Sequence, residues 1–203
     1  RAVRAPSPRL SRRSNAIVCL ALVGCAVAIQ WPYFASGHAF DDWDYLEAIA
    51  QLETGERTAV EYLLTPYNEH LFPAWRAWYY GCWRQFGLEP AGWHGGITLA
   101  HGLGAAMLFL VLQAYAGWGP ALVGAGMWAV AGIGGWENPL SWISASDLAF
   151  GTAWLLAAMV CLTHYRTSSG WRWPALMAAA MVMAVAWMSA MWTLLPVLAL
   201  QWW

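Results

Sequence analysis

The chain has no lysine, and only 10% of its 203 residues are charged. Soluble domains carry roughly 25%. This scarcity excludes a disordered chain, which is held open by charge and poor in apolar residues. A net charge of −1 also excludes the broad basic field of a nucleic-acid binder. Cysteine is sparse: Cys19, Cys25, Cys82 and Cys161 show neither a Cys-x-x-Cys nor a Cys/His metal spacing. Cys19, Cys25 and Cys161 stand in apolar runs, where a thiol behaves as a small hydrophobe.

Apolar residues are what the chain has in quantity. They make up 60% of it, mean hydropathy is +0.44, and there are 17 Trp. Trp favours the membrane–water boundary, where its ring and its N–H are both satisfied. The expected fold is therefore all-α, a polytopic transmembrane helix bundle.

The few charges are placed unevenly. Arg1, Arg4, Arg9, Arg12 and Arg13 form a basic tail, and eight of the eleven acids lie between Asp41 and Glu69. Residues 1–15 are expected to be a cytoplasmic Arg-rich tail and 16–35 the first span. Residues 36–92 then form an external acidic loop with interfacial helices, and 93–203 a further bundle that stops short of completion. Later spans are expected at Trp93–Tyr115, Trp118–Trp136, Leu148–Tyr165 and from Trp173 to about Leu195; none contains Asp, Glu or Arg. Gly117-Trp118-Gly119-Pro120 reads as the tight turn between the second and third spans.

The stretch His70–Phe86 is ambiguous. Arg76 and Arg84, eight residues apart, would lie on nearly one helical face among Trp75, Trp78, Tyr79 and Trp83. Spanning the bilayer would bury Arg76 at a cost of about 3 kcal/mol on insertion scales. An interfacial helix avoids that cost. Placing Arg166 and Arg172 inside gives the same answer: about five spans plus one external interfacial amphipathic helix. Gly92, Gly96, Ala100 and Gly104 make a small-residue stripe suited to close helix packing.

Three polar groups stand out. The first is Asp41-Asp42-Trp43-Asp44, since neighbouring carboxylates repel unless they are hydrated, near a cation or sharing a proton. A solvated helix cap for Trp43–Leu52 explains one of them and not all three. The second is Pro66-Tyr67-Asn68-Glu69-His70-Leu71-Phe72-Pro73. It is either a helix cap at Asn68 or Glu69 with Pro73 in the first turn, or a polar cluster facing a lipid headgroup, with Glu69–His70 suited to proton transfer. The third runs from Trp136 through Glu137 and Pro139 to Asp147, on the same side as Asp41 and Glu69 in this topology. That convergence of acids on one external surface, against uncharged spans, points to a site at the outer interface. His101 falls mid-span. Hydrogen bonding to a neighbouring helix is favoured there over ligating a tetrapyrrole metal or other cofactor.

In this order and spacing the motifs resemble the GT-C superfamily of membrane glycosyltransferases, which use polyprenyl-phosphate-linked sugars. The matching features are Asp41-Asp42-Trp43-Asp44 after the first span, and Glu69-His70-Leu71-Phe72-Pro73 through Phe86-Gly87. The stretch Glu137-Asn138-Pro139-Leu140-Ser141-Trp142-Ile143-Ser144 with Asp147-Leu148 is similar to that of O-mannosyltransferase-like proteins. The resemblance spans roughly Ala16 to Arg166. It implies Asp41 or Asp42, with Asp44 beside them, as catalytic carboxylates deprotonating an acceptor, and inversion at the sugar by direct displacement of lipid phosphate. It allows a divalent cation at Asp42 and Asp44. It places Glu69, His70, Arg76, Arg84, Glu137 and Asp147 among the groups facing the substrate or its lipid phosphate.

Family members are two to three times this length, so the expectation is the N-terminal membrane portion of a longer enzyme at the outer face of a bacterial plasma membrane. A chain naturally ending near residue 203 would instead be a non-catalytic accessory subunit of a larger respiratory or photosynthetic membrane complex. The partners expected in either case are membrane lipids and, in the second, other subunits; nucleic acid is not among them.

Overall fold

The computed structural model describes residues 10–39, 41–67, 70–131, 143–168 and 170–187. Glu69 and Glu137, two of the candidate site residues, lie outside them. Regular structure among the described residues is helical apart from a single backbone bridge between Tyr67 and His70.

Helix α1 (Arg12–Gln30) starts inside the basic tail, because the Ser11 hydroxyl accepts the Ser14 N–H at 3.1 Å and caps it. Pro32 tightens its end into a 3₁₀ turn, Trp31–Ala35. Three short helices follow in the acidic region: α2 (Asp42–Glu53), α3 (Ala59–Leu64) and α4 (Pro73–Phe86). Asp41 occupies the cap position of α2 but its carboxylate makes no capping bond. The α3 start is a full capping box, Thr58 with Glu61. Pro73 opens α4 as expected; the residue before it is Phe72, with no side-chain cap.

The remaining helices are α5 (Pro90–Ala116), α6 (Trp118–Ala131), α7 (Asp147–Ser168) and α8 (Arg172–Trp187), with a 3₁₀ turn over Ile143–Ser146 leading into α7. The turn between α5 and α6 is a single residue, Gly117, whose φ of +84° suits glycine. Among the described residues, three helical stretches are long and apolar enough to cross a membrane: Arg12–Ala35, Pro90–Ala116 and Ile143–Ser168; Arg172–Trp187 is a shorter apolar helix.

Helix α5 is the axis of the bundle, with α1, α6 and α7 packed around it and α8 along α7. The small-residue stripe does meet neighbours. Gly96 lies under Trp78, and Gly104 faces Trp128 and Leu156. A glycine off that stripe, Gly102, meets backbone directly: an added Cβ would stand 3.1 Å from the Val23 Cα.

Contacts sort the helix ends into two groups. At one end Gln113 donates to Asn15 at 2.9 Å and Arg166 to the Tyr115 hydroxyl at 3.3 Å. At the other, His94 meets the Ser36 carbonyl at 2.9 Å, Ser144 N–H donates to Asp42 at 2.6 Å, and the Trp75 indole donates to Ser146 Oγ at 2.9 Å. The basic start of α1 is thus remote from the acidic segment, and the starts of α5 and α7 share the acidic end. An aromatic core fills that end. Tyr45 and Trp75 rings are 4.4 Å apart, Tyr79 and Trp93 4.5 Å, and Phe150 stacks on Trp187 at 4.1 Å.

One expectation is corrected here. Arg76 and Arg84 do not share a fate: Arg76 is 3% exposed, whereas the Arg84 side chain is 64% exposed. Eight residues turn a helix by about 80° beyond two full turns. That rotation carries Arg84 out to Glu53, 3.8 Å away, and to the Tyr80 hydroxyl at 3.1 Å. An interfacial placement spares Arg76 from lipid. The chain buries it nonetheless, under protein rather than lipid.

Candidate functional site

The three aspartates after the first span separate into different environments. Asp42 is 0% exposed. One carboxylate oxygen accepts the Ala39 N–H at 2.8 Å, the other the Ser144 N–H at 2.6 Å, with the Tyr79 hydroxyl donating to it at 3.3 Å. It therefore ties α2 to the turn before α7 and to α4. Burial pushes the Asp42 carboxyl up, while its hydrogen bonds from Ala39 and Ser144 oppose the shift. His38 lies beside it, Nδ1 4.0 Å from Asp42 Oδ2, its side chain 3% exposed and neither ring nitrogen hydrogen-bonded among the described residues. Burial pulls the His38 imidazole down; the Asp42 charge works against that and His94 adds to it.

Asp41 and Asp44 stay accessible, Asp41 half-buried and Asp44 exposed. Asp44 borders a cleft of about 320 Å³ together with Tyr45, Glu47, Gln51, Arg57, Tyr67 and Arg76. The Tyr67 hydroxyl donates to Asp44 at 2.9 Å. Burial, followed by that hydrogen bond and the charges of Asp41 and Asp44, pushes Tyr67 up to about 12. Asp41 and Asp147 approach closely enough to act electrostatically on Tyr45, but neither lines the cleft.

Arg76 forms the buried side of the cleft. Its guanidinium lies 5.4 Å from the Tyr62 ring and 5.6 Å from the Tyr45 ring. The Tyr62 hydroxyl donates to the Arg76 backbone carbonyl at 3.0 Å and fixes that turn of α4. Among the described residues, Nε and Nη1 have no hydrogen-bond partner and no carboxylate comes within ion-pair distance of the side chain. Burial pulls its pKa down, with Tyr62 and Tyr45 opposing, yet a guanidinium stays charged at any ordinary pH. An unpaired buried charge of this kind is costly unless a partner arrives.

The other candidates fall elsewhere. His70 is exposed at the Tyr67 bridge, its ring 5.5 Å from Phe72. Arg84 is engaged with Glu53. His101 is buried in α5 and stacks on Trp128 at 5.8 Å. The divalent cation allowed by the resemblance does not fit the residues present. Both Asp42 oxygens accept N–H donors, Asp44 is turned to Tyr67, and among the described residues no group of three His, Cys, Asp or Glu side chains could hold a metal.

Sequence reasoning passes over Glu47 and Arg57, whereas Tyr67 belongs to the candidate stretch Pro66–Pro73. The signal was present for Glu47: Asp44, Glu47 and Gln51 follow a helical i, i+3, i+7 spacing and so share one face of α2. A second hollow, of about 430 Å³, runs along α5 and α7 beneath Trp78. It is apolar, lined by Leu99, Leu103, Phe150 and Trp154 over small residues such as Gly96 and Ala153. Comparison with protein-family models, with curated proteins and with solved structures finds no match to this chain.

Proposed function

We propose that this chain is the N-terminal membrane portion of a GT-C-like glycosyltransferase, transferring a sugar from a lipid-phosphate carrier at the outer face of a bacterial plasma membrane. The observation that carries the reading is the cleft: an accessible carboxylate, Asp44, and a buried unpaired guanidinium, Arg76, border one cavity at the acidic end of an apolar bundle. Transfer needs those two charges. The carboxylate takes the proton of the acceptor O–H, whose oxygen attacks the anomeric carbon. The bond from that carbon to the phosphate oxygen breaks, and the electron pair leaves with the phosphate, which a guanidinium stabilises. Asp41 stands outside the cleft, and Asp42, which accepts from Ala39, Ser144 and Tyr79, holds the segment in place. The apolar hollow along α5 and α7 suits a lipid chain. Five spans are read here, α1, α5, α6, α7 and α8, with the N-terminus cytoplasmic and α4 outside.

One observation favours the second reading, a non-catalytic subunit of a larger membrane complex. The central acid of the motif, Asp42, is a structural tie rather than an exposed group. A transfer assay separates the two. The full-length protein in lipid nanodiscs is given a radiolabelled polyprenyl-phosphate sugar and a membrane extract as acceptor source. The enzyme reading expects label on a new product, lost in Asp44→Asn. Absence of transfer by the full-length protein favours the subunit, and transfer unchanged in Asp41→Asn and Asp44→Asn alike removes both carboxylates as the base.

A further inference from the structure

The lining of the cleft is of mixed charge, and its two signs sit at different depths. Arg76, 3% exposed, lines the buried wall; its Nε and Nη1 are enclosed and without a hydrogen-bond partner among the described residues, and Arg57 is half-buried beside it. Asp44 and Glu47 are both exposed on the rim, three residues apart on α2. Neither rim carboxylate pairs with Arg76, since the ion pairs among the described residues are His38–Asp42 and Arg84–Glu53. The protein thus presents a deep cation and shallow anions that do not neutralise each other directly.

A simple polyanion satisfies the guanidinium but is repelled by the rim. A simple amine satisfies the rim and leaves the guanidinium buried and unpaired. The complement of both is a zwitterion, with phosphate inside against Arg76 and ammonium outside against Asp44 and Glu47. A cleft of about 320 Å³ is at the lower end of the range for ligand pockets, roughly 300–1,000 Å³, which suits a headgroup-sized molecule. We propose that the Arg76 cleft binds a phosphate ester carrying an alkylammonium group, of the phosphoethanolamine type, recognised at both charges. The inference rests on reading the cleft as a phosphate site, and the ligand it names is a different molecule from the sugar donor.

Calorimetric titration of the full chain in detergent with O-phosphoethanolamine, inorganic phosphate and ethanolamine tests it. The expected result is binding of phosphoethanolamine at least tenfold tighter than of phosphate or ethanolamine. Arg76→Gln should weaken phosphoethanolamine and phosphate alike by tenfold or more. The double variant Asp44→Asn/Glu47→Gln changes only exposed side chains, so its fold is not at issue. It should bring phosphoethanolamine down to the level of phosphate without weakening phosphate. No phosphoethanolamine binding by the wild type, equal binding of the two ligands, or a preference that survives the rim double variant overturns the proposal.

A second arm separates the sources. Short-chain phosphatidylethanolamine binding more tightly than the soluble ester assigns the site to a lipid headgroup, and equal binding assigns it to the free ester. Phosphatidylglycerol binding as well as phosphatidylethanolamine again overturns recognition of the amine. None of these readouts uses sugar transfer, so intact binding without transfer counts against the transferase alone.

Discussion

Asp42 and Asp44 are two residues apart in sequence and opposite in circumstance. Removing the Asp42 side chain leaves the Ala39 and Ser144 N–H groups without their acceptor. Each such loss costs about 1–3 kcal/mol. Asp42→Ala should therefore lower stability by at least that much, read as a lower melting temperature in detergent. Asp44→Asn, at an exposed position, should stay within about 0.5 kcal/mol of wild type. Equal melting temperatures for Asp42→Ala and wild type would deny the tie.

His38 gives a pH dependence with a defined sign. Its imidazole is held below its ordinary value of 6.5 by burial, so the unfolded chain binds the proton more readily. The stability it contributes is complete above pH 6.5 and is lost as pH falls below that value. Asp42, raised by burial from 3.8, acts in the opposite direction, losing stability as pH rises from that value. The difference between wild type and His38→Gln isolates the histidine. Wild type should lose more melting temperature than the variant between pH 7 and pH 5; parallel profiles would remove His38 from the account.

At the scale of elements, the sequence marked one packing face of α5, and the structure adds a second beside it. The stripe Gly92–Gly96–Ala100–Gly104 is real and lies against Phe86, Trp78, Trp128 and Leu156. These are side chains, which leave room between axes. Backbone meets backbone at Gly102, against Val23 of α1. Gly102→Leu should force α1 from α5 and cost about 1–3 kcal/mol by overpacking. Gly126→Ala in α6, with open space at its Cβ, should be neutral or slightly stabilising because alanine favours the helix. Thermal unfolding of both variants checks the pair; a Gly102→Leu protein as stable as Gly126→Ala would place the seam elsewhere. Nothing in the residue types distinguishes Gly102 from the stripe, because the choice depends on how α1 is rotated against α5.

At the scale of the whole molecule, the alternation of helix ends makes a labelling pattern. Thr54 belongs to the acidic end, whereas Gly119 and Thr167 lie at the end where Gln113 meets Asn15 and Arg166 meets Tyr115. With the native cysteines replaced, a membrane-impermeant thiol reagent applied outside intact cells should label Thr54→Cys and spare Gly119→Cys and Thr167→Cys. Labelling of positions 119 and 167 alone would invert the orientation, and labelling of all three would break the five-span reading.

Composition and periodicity by themselves determined that the chain is helical and apolar, where the helices α1, α5 and α7 run, and that its acids gather in one segment. Those properties follow from single residues and their spacing, since an apolar run of some twenty residues and a 3.6-residue repeat are local facts. Only the tertiary structure decided that Asp42 is a buried tie while Asp44 reaches a cleft, and that Arg76 is enclosed by Tyr45 and Tyr62 while Arg84 is left in the open. The reason is physical. The burial of a charge depends on which helices close over it, and the Asp42–Ser144 bond joins residues 102 positions apart, beyond the reach of any local pattern.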